Sequence, residues 1–289
     1  MRRLGEYLAA RRALVRPEEV GLSSDPSRRV AGLRREEVAA LAAISPEYYR
    51  RLERGAGAQP SDAVLESLAR TLLLTDHARL HMYRLAHKRI ELGTPSPVVD
   101  LQTRRMLESW KDMVVVVHDR NQDVVASTPI AREALGVYAR VGSNILLQVA
   151  DSASNGPTRL QPLYYWRVAQ LAASLRYYGD PDDARYREIV RAMSDDVEFE
   201  GIWARQDAEP LSLDPARFWL DGEGWVEFDC EILELPRSPG TVIVSWYPAG
   251  RISLAAFERF SRRRARVAWR AASPPPISRD DAEYDRRRA

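Results

Sequence analysis

The chain has 289 residues, 45% of them hydrophobic, and 43 basic against 41 acidic side chains. That apolar content is enough for two globular domains. A single cysteine, Cys230, excludes an intramolecular disulfide and a thiolate metal cluster. The formal charge of +2 hides a partition. Residues 1–90 carry 17 Arg or Lys against 11 Asp or Glu, a net of +6; residues 91–258 carry 16 against 26, a net of −10; residues 259–289 carry 10 against 4, a net of +6. The acidic middle repels phosphate, so a polyanionic partner is expected at the first segment. All seven Trp lie outside residues 1–90, which points to a small bundle followed by a larger core. Lys88 and Lys111 are the only lysines. Arginine in their place suits phosphate and guanine, because its guanidinium is a planar fork of donors. The start of the chain has no apolar signal segment and no apolar run reaches membrane-spanning length, so a cytoplasmic protein with no membrane partner is expected.

In chain order, a first helix is expected near Arg3 to Ala13, with Leu4, Tyr7, Leu8 and Arg11 at helical spacing. Residues Arg34 to Gly55 read RREEVAALAAISPEYYRRLERG, a helix, a tight turn and a second helix. Val38, Ala39, Leu41 and Ala42 give the first helix an apolar face, Ala39 leaves room for a close crossing, and Ile44 fills the corner. Ser45 is an N-cap and Pro46 suits the first helical position. Tyr49 and Leu52 are expected to point to the core, with Glu47, Tyr48, Arg50, Arg51 and Arg54 outward. Gly55 ends the helix. Ser61 caps a fourth helix carrying Val64, Leu65, Leu68, Ala69 and Leu72 on one face. Thr75 caps a fifth with Leu80, Tyr83 and Leu85. Five short helices with the hairpin in second and third place form a compact bundle of the phage-repressor type, whose partner is double-stranded DNA.

A joint is expected over residues 91–99, where Gly93, Pro95 and Pro97 cannot continue a helix. Beyond it, Val114 to Val117 and Val124-Val125 flank a turn at Asp119 to Gln122, a β-hairpin. Pro129 to Tyr138, Leu160 to Tyr178 and Asp182 to Met193 read as helices. Leu211 to Leu213, Gly224 to Leu233 and Thr241 to Tyr247 read as strands, the last two joined through a turn at Leu235 to Gly240. That order is an α+β pattern for residues 100–258. From Arg259 a short basic helix is followed by Pro274-Pro275-Pro276 and a charged end, read as a solvated, partly disordered tail over residues 259–289.

The run LGEYLAARR, LRREEVAALAAIS, YYRRLERG, QPSDAVLESLARTLLL and ARLHMYRLA resembles the xenobiotic-response-element class of helix-turn-helix regulators over residues 1–90. Within that class the chain is similar to the MmyB-like regulators, and the likeness continues more weakly through VVVVHDRNQDVVA, YYGDPDDARY, FEGIWARQD and LELPRSPGTVIVSWYPAG. The chain departs from the pattern at Ala43, where such turns often have glycine, and at Thr128, where the family usually has asparagine. The resemblance implies a C-terminal ligand-binding domain of PAS-like fold with a pocket for a small apolar ligand of the fatty-acid kind.

Candidate site residues follow. Ser45 and the start of its helix suit a phosphate, and Arg34 and Arg35 are placed to clamp backbone on either side. The resemblance puts base contacts on Glu47 and Arg51, with Tyr48 and Arg50 nearby. Arg51 suits guanine, whereas Glu47 reads equally as a cytosine acceptor or as a first-turn carboxylate favouring the helix dipole. Such modules usually bind as dimers to half-sites about 34 Å apart, so a homodimer is expected. For the ligand, Val115, Val117, Leu147, Leu171, Trp203 and Trp246 are the large apolar candidates, and Arg176 a receiver for a carboxylate or a surface residue paired with Asp180 or Asp182. A bound fatty acid aside, no cofactor is expected: there is no GxGxxG, Walker loop or haem motif. An enzyme is not expected. His77 and His81 have zinc-like i, i+4 spacing without HExxH and read as surface histidines, and no Ser–Lys pair or GxSxG stands out. The alternative is an antitoxin-like or protein-interaction regulator with no small-molecule ligand.

Overall fold

A computed structural model describes residues 1–23, 28, 30–57, 59–87, 99–154, 162–213, 215–235, 238 and 240–272. The N-terminal bundle consists of α1 (Arg2–Leu14), a 3-10 turn (Pro17–Val20), α2 (Arg35–Leu41), α3 (Pro46–Glu53), α4 (Asp62–Thr71) and α5 (Asp76–Ala86). The hydroxyls of Ser45, Ser61 and Thr75 each accept from an amide three residues on, at 3.1, 3.4 and 3.1 Å, so each cap satisfies a helix-start donor. Leu4, Tyr7, Leu8, Val38, Ala39, Tyr49, Leu52, Leu65 and Leu68 form the core. Gly5 permits the α1–α3 crossing, since a Cβ there would stand 2.3 Å from the Glu53 carbonyl oxygen.

Three expectations for the bundle are corrected. Leu41 and Leu80 are 39% and 40% exposed. The buried arc of α2 is Val38, Ala39 and Ala42, and at 3.6 residues per turn Leu41 falls about 110° from its middle. In α5 the buried arc is Ala78, His81, Met82 and Ala86, and Leu80 lies almost opposite. His81 is therefore a core histidine against the Tyr7 ring, not a surface one. The α2–α3 turn closes with Ala43 at φ +54°, where glycine is favoured, at a cost of about 1 kcal/mol. Two backbone bonds, Ala43 N–H to Ala40 at 3.2 Å and Ile44 N–H to Ala39 at 2.9 Å, hold it there.

The second part comprises α6 (Leu101–Ser109), β1 (Val114–His118), β2 (Val124–Ser127), α7 (Pro129–Leu135), a 3-10 turn (Gly136–Ala139), α8 (Ile145–Ser154), α9 (Pro162–Tyr178), α10 (Ala184–Met193), α11 (Val197–Ala204), β3 (Ala216–Leu220), β4 (Gly224–Glu234), β5 (Val242–Pro248) and α12 (Gly250–Ala272). The five strands form one antiparallel sheet in the order β2-β1-β5-β4-β3, with Val116 opposite Val244 and His118 opposite Val242. Alternation along β1 sends Val114, Val116 and His118 to one face and Val115 and Val117 to the other. The first face meets α7, α8, α9 and α12; the second packs Val115, Val117 and Ile243 against Leu107 of α6. Thr128 carries out the capping of α7: its Oγ1 accepts from Ala131 N–H and donates to the Met113 carbonyl at 2.6 Å, tying the helix start to β1.

The strand expected at Leu211–Leu213 is absent; the neighbouring strand is β3, five residues on. The helix α12 crosses the 258/259 boundary, and Phe260 is a core residue, so the basic tail begins later than expected. The joint lies outside the described residues except for Val99, as does everything after Ala272. Among the described residues no helix is long and apolar enough to cross a membrane.

The bundle docks on the second part through α1 and α5. Arg3 pairs with Asp182 at 2.7 Å, Arg11 with Asp207, and His77 with Glu209 at 3.0 Å; Arg84 donates to the Tyr177 carbonyl at 2.9 Å. Among the described residues no such bond involves α2 or α3.

Candidate functional site

The α2–α3 hairpin leaves a polar face outward. Glu47, Arg50 and Arg51 are exposed and Tyr48 is half-buried against the core. Glu47 is held between Arg50 and Arg54, the latter at 3.2 Å. Arg51 differs from Arg50: among the described residues it has no ion-pair partner, and its guanidinium rests beside Gly57. The fork of Arg51 is therefore free to meet an acceptor pair without breaking a bond. Arg34 is exposed at the start of α2, where its N–H donates to Glu37 at 2.6 Å. Glu37 is gripped by Arg28, whose guanidinium holds its carboxyl below the usual range.

Arg35 is not free. Its Nε donates to Glu53, whose second oxygen accepts from Arg12 at 2.6 Å. The Glu53 side chain is 3% exposed. Burial alone would push that carboxyl up; Arg12 and Arg35 override it and hold it below its ordinary value. Arg35 thus links α2 to α3 while half its side chain faces solvent. Phosphate contact by Arg35 shares its charge with Glu53, whereas Arg34 and Ser45 lie exposed at two helix starts.

Under the inner face of the sheet lies a cavity of about 600 Å³. Its inner wall is buried: Val116 and His118 of β1, Ala134 and Leu135 of α7, and Leu171 of α9. Trp166, Phe218 and Trp246 are half-buried, and Arg217, Trp219 and Trp225 form an exposed rim. The volume falls within the ordinary range for small-molecule sites, and so does the mix of apolar walls with few polar groups.

Of the ligand candidates, Leu171 and Trp246 line this cavity. Val115 and Val117 face away, toward α6, because a one-residue change of parity moves a side chain across the sheet. Leu147 packs into the core behind α8 without lining the cavity. Arg176 is buried, neither at the surface nor paired with Asp180 or Asp182. It donates to the carbonyls of Asp207 and Trp203 at 2.7 and 2.8 Å and stacks 3.8 Å over the Trp203 ring. Burial lowers its pKa to about 10. Arg176 and Trp203 line a second space of about 490 Å³ between the two parts, together with Arg3, His81 and Tyr186.

Sequence reasoning missed His118, Trp166, Gln170 and Phe218. Only His118 carried a signal, a titratable group ending a run of four valines. It is 3% exposed, its Nδ1 has no hydrogen-bond partner, and burial lowers its pKa to about 4 despite the Gln122 carbonyl beside it.

Comparison with known proteins adds two matches. A family model for the ligand-binding domain of MmyB-like transcription regulators matches residues 99–260, and a helix-turn-helix domain model matches residues 3–82. No curated protein matches the chain.

Proposed function

We propose, for a chain that belongs to the MmyB-like transcription regulators, that it binds a DNA operator as a homodimer and adjusts that binding to a fatty acid held beneath a PAS-like sheet. The chain is a DNA-binding transcription regulator with a ligand-sensing domain. The finer reading rests on one observation, a cavity of about 600 Å³ with buried apolar walls in the same chain as an outward Arg51 that has no ion-pair partner among the described residues. The five-stranded antiparallel sheet with helices on its inner face supports the PAS-like reading.

Helix α9 supports a linkage between the two sites. It carries Trp166, Gln170 and Leu171 on the cavity and, two turns on, Arg176 and Tyr177 at the docking surface of the bundle. A ligand that binds one position of α9 better than another shifts the docking of α5 by its differential affinity. In a dimer, that shift sets whether two recognition helices match a half-site spacing of about 34 Å. The regulator families argue against an enzyme. An antitoxin-like reading has no observation in its favour beyond the docking surface itself.

Native mass spectrometry of the purified full chain tests the reading. A dimer that releases a fatty-acid mass on mild denaturation supports it. A monomer, or a dimer that neither carries nor takes up added fatty acid, overturns it.

A further inference from the structure

The wall of the cavity is not uniformly apolar. Val116, Ala134, Leu135 and Leu171 offer only hydrocarbon, but His118 stands among them as a polar, almost fully buried group. Its Nδ1 lacks a partner, while buried polar groups ordinarily have one. Burial keeps the imidazole neutral at pH 7, with one donor and one acceptor nitrogen. An uncharged ring attracts no carboxylate, yet it pairs with a hydroxyl or carbonyl.

The rim has opposite chemistry. Arg167 is half-buried on the cavity, and among the described residues it has no ion pair. Arg217 stands near Glu227 at 3.7 Å, and Glu133 is neutralised by Arg264. An amphiphile therefore enters tail first, with its anion near Arg167 and Arg217. A plain alkyl tail would then end against a polar ring to which it offers no hydrogen-bonding group.

We propose that the ligand is polar at both ends: a carboxylate at the arginine rim, and a neutral hydroxyl or oxo group at its buried end that hydrogen-bonds His118. The inference rests on the fatty-acid reading above and narrows it to an oxygenated acid. It requires no covalent step.

The test uses the delipidated full chain and a series of saturated fatty acids of increasing length beside their ω-hydroxy counterparts. Affinity is read by quenching of tryptophan fluorescence, since Trp166 and Trp246 line the cavity. At the best-fitting length the hydroxy acid is expected to bind about tenfold tighter, the worth of one buried hydrogen bond. His118→Leu removes that preference, so that the hydroxy and plain acids of one length bind alike. His118→Gln, which keeps a hydrogen-bonding group, retains part of it and serves where the leucine variant fails to fold. Equal or tighter binding of the plain acid by the unaltered chain overturns the inference, as does a preference that survives in His118→Leu. Binding of neither series overturns the fatty-acid reading itself, a different result from binding without discrimination.

Discussion

The Glu53 carboxylate, buried between Arg12 and Arg35, makes a quantitative claim about the bundle. In Glu53→Gln the charge is lost while the shape is kept. The bond to Arg12 is largely buried, with side chains 3% and 16% exposed, so it is worth about 1.5–3 kcal/mol as a charge-assisted bond. The bond to Arg35 is half exposed and contributes at most about 1 kcal/mol after screening. The glutamine carbonyl retains one acceptor, and the cost of burying a carboxylate is relieved, which brings the net loss to about 2 kcal/mol. Hydrogen exchange reads this locally in the full chain. Amides of α1, α2 and α3 should exchange about 30-fold faster in Glu53→Gln and no more than about fivefold faster in Arg35→Ala. The pH dependence follows from the carboxyl held below its ordinary value of 4.5. A group depressed in the folded state contributes stability above its unfolded pKa and loses it as pH falls through the folded one. The difference between the unaltered chain and Glu53→Gln should therefore shrink below about pH 4.5. An exchange difference below twofold at pH 7, or equal effects for the two variants, would falsify the assignment of Glu53 as the buried tie of the hairpin.

Further outcomes are expected elsewhere. Arg51→Ala should weaken operator binding by about 10- to 100-fold, with relaxed preference at one base pair and a nearly unchanged melting temperature, because the Arg51 side chain is exposed and makes no ion pair among the described residues; gel-shift titration against a base-substituted operator set checks this, and an unchanged footprint refutes it. Arg34→Ala should instead weaken binding to all sequences alike and lower the salt slope by about one. Leu52→Asp should unfold the bundle, since a charge would replace a side chain 1% exposed; a normal melting curve refutes the core assignment. Between pH 6.5 and 5, unfolding free energy should fall as pH falls, because His81 and His118 have folded pKa values of about 3 and 4 and the unfolded chain takes up their protons first. Each contributes up to about 1.4 kcal/mol per pH unit. Asp119, raised to about 6 by burial, offsets one of them below that value, so the slope should rise as pH falls to about 6 and then level off. Denaturant titrations with His81→Gln should show a flatter slope.

The bundle was legible because its signals are local. The caps at Ser45, Ser61 and Thr75 act over three residues, and Tyr49 with Leu52 mark one face of a two-turn helix. Errors there came from short helices, where one apolar residue too many, Leu41 or Leu80, fits the spacing yet lies off the buried arc. The hairpin at Asp119 and the strands β4 and β5 were legible for the same local reason. Helices α6, α8 and α11 were missed although Asp100, Asn144 and Asp196 cap their starts, since each is short and its apolar residues are sorted by neighbours such as the outer face of β1 and α9.

The ligand wall was the least legible part, and β1 shows why. A run of four valines satisfies both faces of a strand, so hydrophobicity cannot say which parity looks into the cavity. Only pairing settles it: β5 places Val116 opposite Val244 and His118 opposite Val242, and both fall on the side of α7 and α9. Val115 and Val117 are then committed to α6. The residue that breaks the valine run also marks the parity of the cavity. A strand buried on both faces has no hydrophobic reason to keep a histidine, and the desolvation of His118 is a standing cost to the fold. Leucine at that position should therefore raise the unfolding free energy of the empty protein by about 1–2 kcal/mol, as judged by urea titration, while it changes which acid the cavity prefers. Stabilisation without a change in ligand preference would make His118 a tolerated defect of packing rather than a reader of the ligand.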